Sequence, residues 1–377
     1  MNQNSLSVKT SQLWPLKLPA VLVLFLSLSL GVPGISGAAL VEDLYTVELA
    51  VADQTTSQRL EVFKQAFGDV IIKVSGSSSM MGGPGFRGPL NNSARYVHQY
   101  SYIKRKDENA EEFEGGQLIL RVTFNQEMVE NLLRENTVPI WGKERPSTLL
   151  LISYEVNGAA SIVSSDTVND IVNEIDGLAL RQGLPILFPL LDLEDRTLIG
   201  VQDIIDTKEE SISSLSARYA PDALLVGRII GETGKGWKGL WQARLSDKLF
   251  NWSFNASSRE NVMSQAIAQL AQTLASEYAL VSYQSVDQDV LLTVDDVVEL
   301  KDQIKLQSYL QSLEAIERAQ LVLIKQHSVT YKVKMHNTTE DLSRLIMLGN
   351  VIEQVDLPQI NAANDDQTIL MSYRLIR

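Results

Sequence analysis

The chain is 377 residues long, with 46 Asp and Glu against 33 Lys and Arg for a net charge of −13, three His and no Cys. That balance excludes nucleic acid as a partner, because neutralising phosphates takes clustered Lys and Arg, and it disfavours adsorption to an anionic bilayer, which attracts polybasic segments. The missing Cys removes disulfides, thiol nucleophiles, thiolate metal sites and a lipoprotein anchor together, so the cores must hold without covalent staples.

In chain order, Lys9 and Lys17 come first, with no acid before the apolar run from Leu18 to Leu30. Gly31, Pro33 and Gly34 break a helix, and Ser36-Gly37-Ala38 puts small residues where a signal peptidase cleaves. The run is about 13 residues, short of the ~20 that span a bilayer. The pattern predicts a signal peptide over 1–38 and a soluble periplasmic product; the alternative is a retained N-terminal anchor. No later run approaches spanning length, so no integral span is expected once the signal is removed.

Residues 41–146 predict a small α+β sandwich. Leu44 to Val51 reads as a strand, and Thr55 or Thr56 caps a helix whose apolar stripe is Leu60, Phe63, Phe67, Val70, Ile71 and Val74. Gly76 to Pro89 reads as a loop. Its Gly82–Pro89 stretch invites a phosphate-cradle reading but lacks Gly-Lys-Ser/Thr, and two prolines delete donors. A mobile loop is the expectation, with Met80, Met81 and Phe86 available to a partner. Strands at Tyr100–Ile103 and Gln117–Phe124 follow, the second alternating cleanly, and Asn125 caps a helix through Met128, Leu132 and Leu133.

Residues 147–281 predict an α/β unit. Thr148–Ile152 is continuously apolar, as a strand buried on both faces is. A helix capped at Ser165 or Asp166 runs through Val168, Ile171, Val172, Ile175 and Leu178 and stops at Gly183. Strands at Pro185–Leu191 and Ala223–Gly227 flank a helix over 208–219. A hairpin turns at Ser246-Asp247-Lys248, and a helix over 259–280 closes the unit. The alternation predicts right-handed crossovers and a largely parallel sheet with the hairpin at one edge.

Residues 282–377 give a strand at Val290–Val294, a helix over 300–313 and a hairpin of Leu321–Ile324 with Val329–Val333. A second helix starts at Thr338, with Asp341 in a capping box. Strands at Val351–Val355 and Ile369–Leu375 flank a polar loop over 358–367. The order strand-helix-strand-strand-helix-strand is ferredoxin-like.

Few constellations carry chemistry. His98, His327 and His336 have no ligand spacing, no Gly-x-Ser-x-Gly elbow occurs, and no dinucleotide fingerprint follows the first apolar strand of the middle unit, so no cofactor is expected. Asp192, Glu194, Asp195 and Arg196 follow the second strand of that unit, and the carboxyl ends of parallel strands are where ligand crevices lie. The three carboxylates there fit a divalent cation or a basic partner segment; the plainer reading is a solvated loop opening a helix. Trp237, Trp241 and Trp252 crowd one hairpin, either as core or as partner anchors. Trp237, beside the Gly-rich turn 231–239, is the one expected to be exposed.

With Leu149 to Glu155, Pro189-Leu190-Leu191-Asp192 and Ala223 to Arg228 in this order, the middle unit resembles the N-terminal domain of the TolB translocation protein, also used by lipoprotein activators of penicillin-binding proteins. Tyr45-Thr46-Val47, Val74-Ser75-Gly76, Trp141 to Pro146 and Leu190-Asp192-Glu194-Asp195 are similar to an exported bacterial family of unknown function. The resemblances imply an envelope protein and an interaction module, with no active site to transfer. The expectation is a non-enzymatic periplasmic binding or scaffolding protein with an envelope protein partner. The alternative is an envelope hydrolase, or a metal or small-molecule binder, using the acidic loop 192–195.

Overall fold

A computed structural model of the chain describes residues 39–105, 117–165, 170–232, 234–280, 290–361 and 368–376. The expected leader, the Asp166 cap and residues 362–367 of the expected polar loop lie outside the described residues.

The first block opens with β1 (Ala39–Leu40) and β2 (Thr46–Ala50), then α1 (Thr56–Ser75). The Thr55 hydroxyl caps α1 by accepting from the Gln58 N–H at 3.4 Å, and Gly76 ends it at φ 70°, a conformation glycine adopts without strain. Val62, Phe63, Ala66, Phe67, Val70, Ile71 and Val74 are buried in steps of three and four. The Gly- and Pro-rich segment is not the expected mobile loop. Pro84 begins a second helix, α2 (Pro84–Asn91), at a position where its missing N–H had no helical partner to lose. Phe86 is buried, and Met80 and Met81 lie half-buried against the same core, so these side chains serve packing. β3 (Val97–Arg105), β4 (Gln117–Phe124), α3 (Gln126–Glu135) and β5 (Glu144–Arg145) complete the block. β2, β4 and β3 form an antiparallel sheet in that order, and β1 with β5 makes a two-stranded ribbon. Leu120, Val122 and Phe124 are buried on one face of β4, as their alternation predicts.

The middle block runs β6 (Thr148–Val156), β7 (Ala159–Ile162), α4 (Asp170–Gln182), β8 (Ile186–Leu187), α5 (Leu193–Leu198), α6 (Val201–Ile205), α7 (Glu209–Tyr219), β9 (Ala223–Glu232), β10 (Gly236–Leu245), β11 (Lys248–Ala256) and α8 (Arg259–Tyr278). The sheet order is β11-β10-β9-β6-β7, with β8 beside the first residues of β6. Only β6–β9 and the short β6–β8 contact are parallel. The expected largely parallel sheet is therefore antiparallel over β7, β10 and β11. Connections of two or three residues join these strands to their neighbours, and a parallel neighbour requires a longer crossover, which α4 and the α5–α7 stretch supply. The expected strand over 185–191 shrinks to two residues; the chain then turns away, with Leu191 at φ 52° on entry to α5. β6 and β9 are buried on both faces. Leu150, Ile152 and Leu225 face α4 and α8, while Leu149, Leu151, Leu224 and Val226 share a second core with α6 and α7 residues.

The last block contains β12 (Val290–Asp295), α9 (Leu300–Ser312), β13 (Ile316–Ile324), β14 (Ser328–Met335), α10 (Thr339–Gly349), β15 (Ile352–Asn361) and β16 (Thr368–Leu375). Its order β13-β14-β12-β16-β15 departs from the ferredoxin-like pattern. The strand after α10 takes the outer edge, and β16 folds back between it and β12, pairing with β12 in parallel. Residues 358–361, expected in a loop, continue β15. The three main sheets stay open and none closes into a barrel. All described residues belong to one compact unit, and no helix among them is long and apolar enough to cross a membrane.

Candidate functional site

The acidic loop is built inward, around one arginine. Asp192 is the N-cap of α5, its Oδ1 accepting from the Asp195 N–H at 2.9 Å. Arg218, in the last turn of α7, grips Asp192 with both Nη groups, at 2.8 and 2.6 Å, reaches Glu194 at 3.5 Å, and donates to Asp195. Asp195 is fully buried. It also accepts from the Leu191 N–H at 2.9 Å and the Tyr219 hydroxyl at 2.5 Å. Arg196 donates to the Leu191 carbonyl at 2.7 Å. The bonds from Arg218, then from the Asp195 N–H, hold the Asp192 carboxyl well below the usual carboxylate range, and burial, then the bond to Asp195, pushes the Tyr219 hydroxyl up to about 12. The loop is thus a clasp joining α5 to α7. Its carboxylates are spent on Arg218, and no group of three His, Cys, Asp or Glu among the described residues is placed to hold a metal.

The tryptophans divide by depth. Trp241 is 4% exposed, its indole resting against Gly227 of β9 and Gly239 of its own strand, where any Cβ would collide with it. Trp252, directly opposite on β11, is half-buried with Phe250 and Phe254 against the core that α8 closes. Trp237, expected to be exposed, is half-buried too: it stacks on Tyr154 with ring centres 5.9 Å apart and an angle of 16°. The hairpin is core on one strand and a half-covered aromatic row on the other.

That row lies on an open sheet edge. The two-residue turn Ser246-Asp247 closes on Leu245 and Lys248, and the register then runs without a shift from Leu245↔Lys248 to Trp237↔Ala256. Lys248, Phe250, Trp252, Phe254 and Ala256 therefore exchange backbone bonds with β10, while Leu249, Asn251, Ser253 and Asn255 direct theirs outward. Open edges elsewhere among the described residues are blunted. β2 carries Glu48, and β3 has a register shift plus Lys104 and Arg105. β13 has two shifts plus Glu317 and Arg318, and β15 has two shifts plus Glu353 and Asp356; β7 is only four residues long. From Leu249 to Ser258 there is neither charge nor proline. β11 lacks the usual protections of an edge strand.

Two groups, one buried and one half-buried, escaped the sequence reading. Arg145 is fully buried and donates to five backbone carbonyls: Lys73, Trp141, Gly142, Gln182 and Gly183, at 2.7 to 3.0 Å, with its guanidinium 4.1 Å from the Trp141 ring. It caps the C-terminal ends of α1 and α4 at once, where a cation suits both dipoles. The sequence carries little signal of this: Lys143 and Glu144 directly before it are charged, and only Trp141, four residues earlier, hints at burial. Glu314 packs against Gly142 and accepts from the Lys143 N–H at 3.3 Å. It lines a polar cavity of 180 Å³ with Glu130, Arg134 and His336, between α3 and the last sheet. Burial pushes its carboxyl up to about 7, with Glu130 and Glu144 adding repulsion.

Residues 38–142 match a family model described as a domain of unknown function, DUF8605. The match spans the N-terminal sheet with α1 to α3 and ends at Gly142, three residues before Arg145. No curated protein matches the chain.

Proposed function

We propose that the protein is an exported, non-enzymatic binding and scaffolding component of the bacterial cell envelope that accepts a partner strand along β11. In this reading the N-terminal block is an α+β sandwich, the middle block a TolB-N-like unit and the last block a ferredoxin-like variant with an inserted strand. The observation that carries it is the β11 edge, where four residues with outward backbone groups alternate with a half-buried aromatic row. Strand addition uses this combination: main-chain bonds supply affinity and alternate side-chain positions supply choice. The order β6-α4-β8-α7-β9, with β8 and β9 on opposite sides of β6, supports the likeness to the TolB-type unit. The Lys9-to-Ala38 pattern supports export. The acidic loop favours no ligand reading, because Arg218 already engages its three carboxylates.

Ser253→Pro tests the site. It deletes one outward N–H and leaves the β10 ladder intact, as proline on an open edge does. Loss of function in the host with unchanged melting is expected; full function would contradict the reading. Mass spectrometry of protein from the host should find a chain starting near Ala39, and a full-length cytoplasmic product would contradict export.

A further inference from the structure

We infer that the strand accepted by β11 is β11 of a second copy of this chain, so that two middle sheets join across a two-fold axis at Trp252. The inference rests on β11 being an acceptor edge and adds the identity of the occupant.

The argument is one of register. The segment Phe250-Asn251-Trp252-Ser253-Phe254 is an aromatic palindrome about Trp252. A two-fold axis perpendicular to the sheet turns β11 onto itself antiparallel, with residue numbers in each opposed pair summing to a constant. Centred on Trp252, it sets Asn251 opposite Ser253 of the other copy and Leu249 opposite Asn255. These are the four residues whose backbone groups point outward, so each meets a residue that also points outward and both hydrogen bonds of the pair can form. The same register sets Trp252 against Trp252 and Phe250 against Phe254 in the closer, non-hydrogen-bonded pairs, about 4.5 Å apart at Cα. All six aromatic rings fall on the face that α8 leaves half-covered. Opposed aromatic pairs are among the strongest cross-strand contacts. A hetero-partner would need none of this symmetry, whereas an isologous contact requires it. No charge on β11 between Leu249 and Ala256 opposes close approach of two identical edges.

The helices leave room. α8 packs on β10 and β11, and adjacent strands lie about 4.8 Å apart. The β10 strands of the two copies would stand about 14 Å from each other, wider than a helix with its side chains.

Charge exchange tests the register on the intact mature chain. Wild-type protein is expected to sediment as a dimer at micromolar concentration. Asn251→Lys/Ser253→Lys sets lysines directly opposite lysines across the axis, and Asn251→Asp/Ser253→Asp does the same with carboxylates, so each should be a folded monomer, melting below wild type only by what dimerisation adds and without the wild type's dependence on protein concentration. Mixing the two should restore a dimer, because every opposed pair is then of opposite charge. A monomeric wild type, a lysine variant that still dimerises, or a mixture that stays monomeric would each overturn the inference. The broader reading fails separately. A monomeric wild type whose lysine variant loses function in the host keeps β11 as an acceptor and discards self-pairing. A dimer that the lysine variant abolishes without any loss of function keeps self-pairing and discards the functional reading.

Discussion

Replacing Trp241 with alanine examines the middle core where it is most tightly built. The indole lies on β10, one strand in from the open edge, between Gly227 and Gly239, opposite Trp252, with Val262 of α8 in the same cluster. Burying a tryptophan removes about 150–250 Å² from water. At ~25 cal/mol per Å² that gives roughly 4–6 kcal/mol, and the part an unfolded chain already buries lowers it to about 3–5 kcal/mol. Large aromatic truncations in cores cost the same amount. Gly227→Ala should destabilise by about 1–3 kcal/mol from the opposite direction, since its methyl collides with the ring and two paired strands resist moving apart. Trp237→Ala is the internal control: half-buried, stacked on Tyr154 and resting on Gly231, it should cost about 2 kcal/mol. Urea unfolding followed by circular dichroism at constant slope reads all three. A loss below ~1 kcal/mol for Trp241→Ala, or one no larger than for Trp237→Ala, would refute this account of the core.

Arg145→Lys should cost at least about 3 kcal/mol despite keeping the charge, because one ammonium cannot serve five carbonyls, three of them at two helix ends; differential scanning calorimetry would register the drop. Glu314 carries a raised pKa, so the folded chain holds a proton that the unfolded chain releases. Its contribution is fully present below about pH 4.5 and is lost as pH rises through about 7, amounting to up to about 3 kcal/mol. Glu314→Gln should flatten stability across that window, and an unchanged slope in urea melts between these pH values would refute it. In the acidic clasp, Asp195→Ala should cost about 1–3 kcal/mol, since it takes the acceptor from the Leu191 N–H and the Tyr219 hydroxyl while Arg218 keeps Asp192 and Glu194. Glu194→Gln, whose side chain is 68% exposed, should stay within about 0.5 kcal/mol.

Much of the fold follows from local pattern. The stripe of α1, the alternation of β4 and the two-faced burial of β6 are consequences of periodicity, which any stretch of sequence displays. The Ser246-Asp247 turn and the Trp hairpin are equally local. Other features depended on signals that local reading underweights. Asn157-Gly158 is a strong hairpin dipeptide, and both residues take positive φ, 49° and 86°, between β6 and β7. The glycines of Gly82–Pro89 suggested a loop, but Pro84 at a helix start and a buried Phe86 outweigh them. The remaining features are long-range. Strand direction in the middle sheet is fixed by connection length, β16 enters beside β12 by a pairing no local pattern encodes, and Arg145 finds carbonyls as far as Lys73 and Gly183. The helix start at Asp192 is legible in sequence, but the clasp is not, because Arg218, more than twenty residues away, carries no mark of its destination.

The claim that function runs through the open edge of β11 is tested most directly by complementation in the native host, with melting measured on the same proteins. Asn251→Lys/Ser253→Lys should fail to complement while still melting cooperatively as a folded monomer, and co-expression with Asn251→Asp/Ser253→Asp should restore function by restoring opposite charges across the axis. Full complementation by the lysine variant alone would contradict the account.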